Sequence, residues 1–132
     1  MIGRREVMVA VRRGGEFLVV HRSADKGGYW HLVAGGVEEG EDWEAAARRE
    51  LREETGLVAG ELEAAGGFAY EREPWEPQPG MRVEARSFAT EAPEGWEPEL
   101  DAEHDEYRWC DREAAAELLY WPEPRDLVRG LP

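Results

Sequence analysis

Cysteine, lysine and long apolar runs are all scarce in this chain. Cys110 is the one cysteine among 132 residues, so no disulfide can form within the chain, which fits a reducing compartment. Apolar runs such as Phe17 to Val20 fall far short of the roughly 20 residues that span a bilayer, and no leader pattern is legible after Met1. The expectation is a soluble, cytoplasmic protein without a membrane partner. Basic residues are outnumbered 16 to 30, a net charge of −14. That deficit argues against a nucleic-acid polymer as partner, because phosphate contacts need clustered Lys and Arg. Small phosphorylated ligands stay open, since bound divalent cations invert the local field. A single lysine, Lys26, beside 15 arginines is read as genome composition.

A chain of this length is expected to form one domain over residues 1–132, with a hydrophobic core that needs no staples. Val7, Val9 and Val11 alternate with Met8, Ala10 and Arg12, and Gly14-Gly15 separates them from Glu16 to His21, which predicts a hairpin. Tyr29 to Ala34 is a short strand candidate running into Gly35-Gly36. Asp42 to Thr55 is rich in helix formers, with Asp42 at its start, Gly56 at its end, and Trp43, Ala47 and Leu51 as an apolar stripe. Further strands are expected over Leu57 to Arg72, with an interruption, and over Arg82 to Thr90. The proline-bearing stretch Glu73 to Gly80 is a loop, and Ala92 to Asp105 is acidic and irregular. Tyr107 to Cys110 reads as a last strand, Arg112 to Leu119 as a helix capped by Asp111, and Pro122 opens a final helix. This α/β order implies a mixed sheet covered on two faces.

Glu50, Glu53 and Glu54 fall at i, i+3 and i+4, one helical face. Taken alone, that pattern fits a solvated, charge-laced face as readily as a site for hard cations, which clustered carboxylates, waters and substrate phosphates hold together. The surrounding spacing decides between them. Gly35, Glu41, Arg49-Glu50-Leu51, Glu53-Glu54 and Gly56-Leu57 stand at every position defined by the signature of the Nudix hydrolases, and the chain resembles that family. The resemblance implies the Nudix fold, an α/β/α sandwich around a mixed β-sheet. It implies hydrolysis of a nucleoside diphosphate linked to another moiety, with Mg2+ (or Mn2+) as cofactor. Glu50, Glu53 and Glu54 would ligate the metal, with the Gly35 carbonyl as a further ligand.

Within the catalytic set Glu50, Glu53, Arg49 and Glu103, Glu53 is the first candidate for general base. Arg49 is read as the orienting partner of a carboxylate, and Glu41 as a charge suited to the helix start rather than a ligand. Glu103, beside His104, Asp105 and Glu106 in the acidic loop, is the alternative base or metal ligand.

Substrate contacts are expected from Tyr29, Trp30, Arg22 and Tyr70, with Phe68 and Trp75 as further pocket candidates; Trp43 and Trp109 are expected in the core. Aromatic rings stack on a flat base or pterin. Tyr29-Trp30, Gly36 to Glu41 and Glu103-His104 followed by Tyr107-Arg108-Trp109 are similar to bacterial dihydroneopterin triphosphate pyrophosphohydrolases, which act also on dATP-like triphosphates. An NTP-type substrate cut to monophosphate and pyrophosphate is therefore expected, with ADP-ribose or dinucleoside polyphosphate as alternatives, and a non-nucleotide diphosphate behind them. A nucleotide sensor without turnover is the reading from another class. Monomer and homodimer both stay open.

Overall fold

Apolar residues on both faces of β1 (Ile2–Arg13) and β2 (Glu16–Arg22) fix the architecture, because a strand of that kind must be covered twice. The computed structural model describes residues 2–132. Gly14, with φ of 61°, turns the hairpin between these strands. β1 runs parallel to β6 (Arg82–Glu91), with Glu6 opposite Ala85. Its other side pairs antiparallel with β4 (Val33–Gly36), Val7 facing Gly35, and with β2 at Arg12 and Arg13. β2 takes β3 (Trp30–His31) on one side and β7 (His104–Asp111) on the other, while β5 (Glu63–Glu71) lies outside β6.

One face of this mixed sheet sends Val7, Val9, Val11, Leu18 and Val20 against α1 (Trp43–Thr55). The opposite face sends Met8, Ala10, Phe17 and Val19 against α2 (Arg112–Leu118) and α3 (Pro122–Gly130). The result is the expected α/β/α sandwich. Leu51, fully buried between α1 and the sheet, is expected to cost about 2–5 kcal/mol on replacement by Ala, read as a lower urea midpoint.

Three elements differ from the sequence reading. The stretch from Tyr29 breaks at Leu32 into β3 and β4, because the first half pairs with β2 and the second with β1. The strand expected from Leu57 begins only at Glu63, since Arg48 Nη1 and Nη2 take the Ala59 and Gly60 carbonyls and hold that stretch against α1. The last strand starts at His104 rather than Tyr107, because its ladder with β2 continues to Arg22. Trp43 and Trp109, expected in the core, are partly buried at its margin. The Arg86 guanidinium lies 4.6 Å from the Trp43 ring, and Trp109 Nε1 donates to Glu97.

Candidate active site

The helix that carries the carboxylates is fixed at both ends by local chemistry. The Asp42 side chain accepts the Ala45 N–H at 2.7 Å, and Gly56, at φ of 80°, closes the last turn onto the Arg52 carbonyl. Because Ala47 and Leu51 face the sheet, the adjacent positions Glu50 and Glu54 are carried to the end of β4 while Glu53 remains half exposed.

Arg49 organises the outer part of this face. Its Nε and Nη2 grip both oxygens of Glu41 at 2.7 and 2.9 Å, Nη2 also donates to the Gly36 carbonyl at 2.8 Å, and Nη1 donates to Glu50 at 2.8 Å and Glu53 at 3.2 Å. Every N–H of the guanidinium is thereby used. Glu41 also accepts the Glu38 N–H at 2.9 Å, so both its oxygens are committed to the protein. The hydrogen bonds from Arg49, then that from Glu38, draw the Glu41 carboxyl down to about 2, and they favour a structural role for Glu41 at the helix start over ligation. Lysine offers no planar fork, so Arg49→Lys is expected to lower kcat/KM about 10- to 100-fold with the fold intact by circular dichroism.

The inner part is arranged differently. Glu54 is buried, and its Oε1 has no hydrogen-bond partner. Burial first, then the neighbouring Glu50, pushes its carboxyl well above the usual range. The Glu50 carboxyl lies so close under Gly35 that a β-carbon there would collide with it. Two carboxyl groups facing each other beside a bare glycine backbone, a cradle that a β-carbon would fill, fit a hard divalent cation. Among the described residues no three His, Cys, Asp or Glu side chains close on one point, and Arg49 holds Glu50 and Glu53 from the side. A cation would compete with Arg49 for those oxygens.

Ala34 and Gly35 also line a cavity of about 610 Å³ on the face covered by α2 and α3. Three of the expected substrate contacts, Tyr29, Arg22 and Tyr70, lie in its wall together with Phe68, whereas Trp30 and Trp75 are not in its lining. Trp30 packs instead against the second core under Arg108, whose guanidinium is 4.8 Å from the ring. Trp75 is 76% exposed on the proline-bearing loop. Tyr70 donates to Glu6 at 2.9 Å, and Phe68 and Tyr70 stack with centroids 6.1 Å apart. The exposed Glu103 is joined to the hairpin end through its carbonyl, which accepts from the Ser23 N–H at 2.9 Å. Its neighbour His104, not Glu103, is turned inward toward Glu54.

Sequence reading missed His31 and Trp121, both in the cavity wall. His31 Nδ1 is shut off from solvent without a partner, and burial, then Arg22, lower this imidazole to about 4, so it is neutral near pH 7. Trp121 meets Tyr29 edge-on at 6.0 Å. No spacing rule links α3 to the carboxylate helix, and only the folded chain brings Trp121 to Tyr29.

The family model of the NUDIX domain matches residues 3–131. Among curated proteins, an octanoyltransferase of Myxococcus xanthus is 36% identical over 131 residues, covering 95% of this chain and 36% of that protein. An RNA pyrophosphohydrolase of Caulobacter vibrioides is 34% identical over 103 residues, covering 68% of this chain and 60% of that protein. The chain thus spans less than two thirds of the length of either relative. Among solved structures, the dihydroneopterin triphosphate pyrophosphohydrolase of E. coli superposes with a TM-score of 0.81, covering 98% of this chain and 96% of the other. At 24% identity that likeness is one of fold. The MutT protein from Methanosarcina mazei Go1 reaches a TM-score of 0.76 at 28% identity, covering 96% of this chain and 90% of the other.

Proposed function

This chain belongs to the NUDIX family, and we propose that it is a divalent-metal-dependent pyrophosphohydrolase of a nucleoside or pterin triphosphate, releasing monophosphate and pyrophosphate. The observation that carries this reading is the Glu50 and Glu54 carboxyl pair against Gly35, whose backbone forms part of the wall of an aromatic-lined cavity. Phosphates placed at the carboxylates would leave a planar ring within reach of Tyr29, Trp121, Phe68 and Tyr70. Stacking on aromatic side chains is worth about 1–3 kcal/mol per base.

Glu50, Glu53 and Glu54 would hold the metal, Mg2+ or Mn2+, with the Gly35 carbonyl. When bound, such ions neutralise phosphate oxygens and lower the pKa of a bound water. In the hydrolysis itself, water attacks a phosphorus of the bridge, the bond from that phosphorus to the leaving oxygen breaks, and Glu53 takes the water's proton. Glu53 suits that step: its side chain is 54% exposed, and among the described residues Arg49 at 3.2 Å is its one ion-pair partner. Arg49 keeps the helix carboxylates oriented, and neutral His31 and cationic Arg22 line the wall where polar atoms of the substrate would enter.

Among the described residues no helix is long and apolar enough to cross a membrane. The net charge of −14 supports a free small molecule over an RNA polymer as substrate, although relatives carry RNA substrates in their names.

Chromatographic product analysis with Mg2+ and then Mn2+ tests the proposal across NTPs, dNTPs, dihydroneopterin triphosphate, ADP-ribose and diadenosine tetraphosphate. A triphosphate giving monophosphate and pyrophosphate is expected. Cleavage confined to ADP-ribose or the dinucleotide would overturn the substrate reading and leave the metal site standing, and tight nucleotide binding without product would favour a sensor.

A further inference from the structure

Asp101, in the turn ahead of β7, and His104, the first residue of that strand, lie outside the helix that supplies the carboxylates. The turn is held from several sides. His104 N–H reaches the Asp101 carbonyl at 3.4 Å, the Glu99 N–H donates to the Thr55 carbonyl at 2.9 Å, and Leu100 packs on the core beneath α1. The His104 side chain is 1% exposed. Its Nδ1 meets Asp101 Oδ1 at 2.7 Å, and its Nε2 points at Glu54 Oε1 from 3.6 Å, the oxygen that has no hydrogen-bond partner.

A buried imidazole needs a reason to be buried, and packing alone does not require a carboxylate on each side of it. Nδ1–H donates to Asp101 and sets the ring, so Nε2 faces Glu54, and with a proton on both nitrogens the imidazole presents an N–H to each carboxylate. Arg49 orients Glu50 and Glu53 from within α1, and its hydrogen bonds go to Glu41, Glu50, Glu53 and Gly36, not to Glu54. The inner carboxyl therefore has its own orienting arm, built from a different segment of chain.

We infer that Asp101 and His104 are positioning residues that fix the Glu54 carboxyl for cation binding through the buried imidazole. The inference rests on the metal-site reading above and adds to it two residues that never touch the cation. One oxygen of Glu54 is held toward His104, which leaves the other for the ion. The Asp101 carboxylate sets the ring, and the ring sets Glu54. Loss of either member frees Glu54 to rotate without removing a ligand.

Mn2+ alone is the probe, with free ion counted by electron paramagnetic resonance against wild type, Asp101→Asn, His104→Ala, His104→Gln and Glu54→Gln, each checked for folding by near-UV circular dichroism. Asp101→Asn and His104→Ala are expected to raise the Mn2+ Kd about 10- to 100-fold, the usual effect of removing a ligand's orienting partner. His104→Gln should recover part of that loss, since its amide can reach toward Glu54. In a Glu54→Gln background Asp101→Asn should change nothing further. Should His104→Ala fail to fold, Asp101→Asn decides. Folded variants with a Kd within twofold of wild type, or an equal loss in the Glu54→Gln background, would overturn the inference while the metal site stands. A wild type that binds no Mn2+, or a Kd indifferent to Glu54→Gln, would overturn the metal site itself and this inference with it.

Discussion

Glu54→Gln is expected to stabilise the metal-free protein while removing its response to Mg2+ and its turnover. Glu54 is buried with a second carboxyl beside it and an oxygen that no donor meets. Its carboxyl is raised above the ordinary 4.5, first by burial and then by Glu50. A group raised in the folded state contributes stability that is fully present below the unfolded value and lost as pH rises through the folded one. The metal-free wild type should therefore lose ground to Glu54→Gln from about pH 5 upward, because ionisation that is free in the unfolded chain is opposed in the fold. A gap of about 1–3 kcal/mol near pH 8 is the scale for a poorly compensated buried polar group. Melting in EDTA at pH 5, 7 and 9 measures it. Added Mg2+ should then raise Tm for wild type and leave the variant unchanged. Loss of the metal's several kcal/mol of transition-state stabilisation corresponds to about 10³-fold in kcat. A variant less stable than wild type at every pH, with the Mg2+ response retained, would show that Glu54 is structural.

Glu53→Gln is expected to behave in the opposite way on the same helix. Its side chain is 54% exposed and, among the described residues, pairs with Arg49 alone, so the melting temperature should hardly move. Turnover should fall about 10²- to 10⁴-fold, the usual contribution of a general base, under Mg2+ and Mn2+ alike. Steady-state kcat on the substrate identified by product analysis is the measurement. A value within threefold of wild type would remove Glu53 from the proton-transfer role and turn attention to Glu103. Glu53 and Glu54 share residue type and helix, and they differ in burial and in the groups that face them. The pair of variants therefore separates what the position does from what the side chain is.

Local chemistry was legible in the chain without coordinates. Asp42 and Gly56 bound the helix because a carboxylate oxygen can accept an orphan N–H and glycine can take a left-handed φ. Gly14-Gly15 turned the hairpin, and two-faced apolar alternation in β1 required cover on both sides. Helical spacing put Glu50, Glu53 and Glu54 on one face, and the full signature around them fixed the family.

What spacing could not give is how those three carboxylates differ, since burial is a property of what packs above them. Only the fold seals Glu54 beneath His104 and leaves Glu53 toward solvent, whereas the reach of Arg49 to Glu53 follows from helical spacing. It splits the stretch from Tyr29 between two partners, which puts His31 and Tyr29 in the cavity wall and turns Trp30 under Arg108. Trp121 reaches Tyr29 from α3, and Asp101 with His104 reaches Glu54 from the acidic loop. The sequence alone determined helix ends, turns, strand faces and family, because each depends on neighbours a few residues away. Tertiary structure decided which carboxyl is buried and which rings line the cavity, because those contacts join segments far apart in the chain.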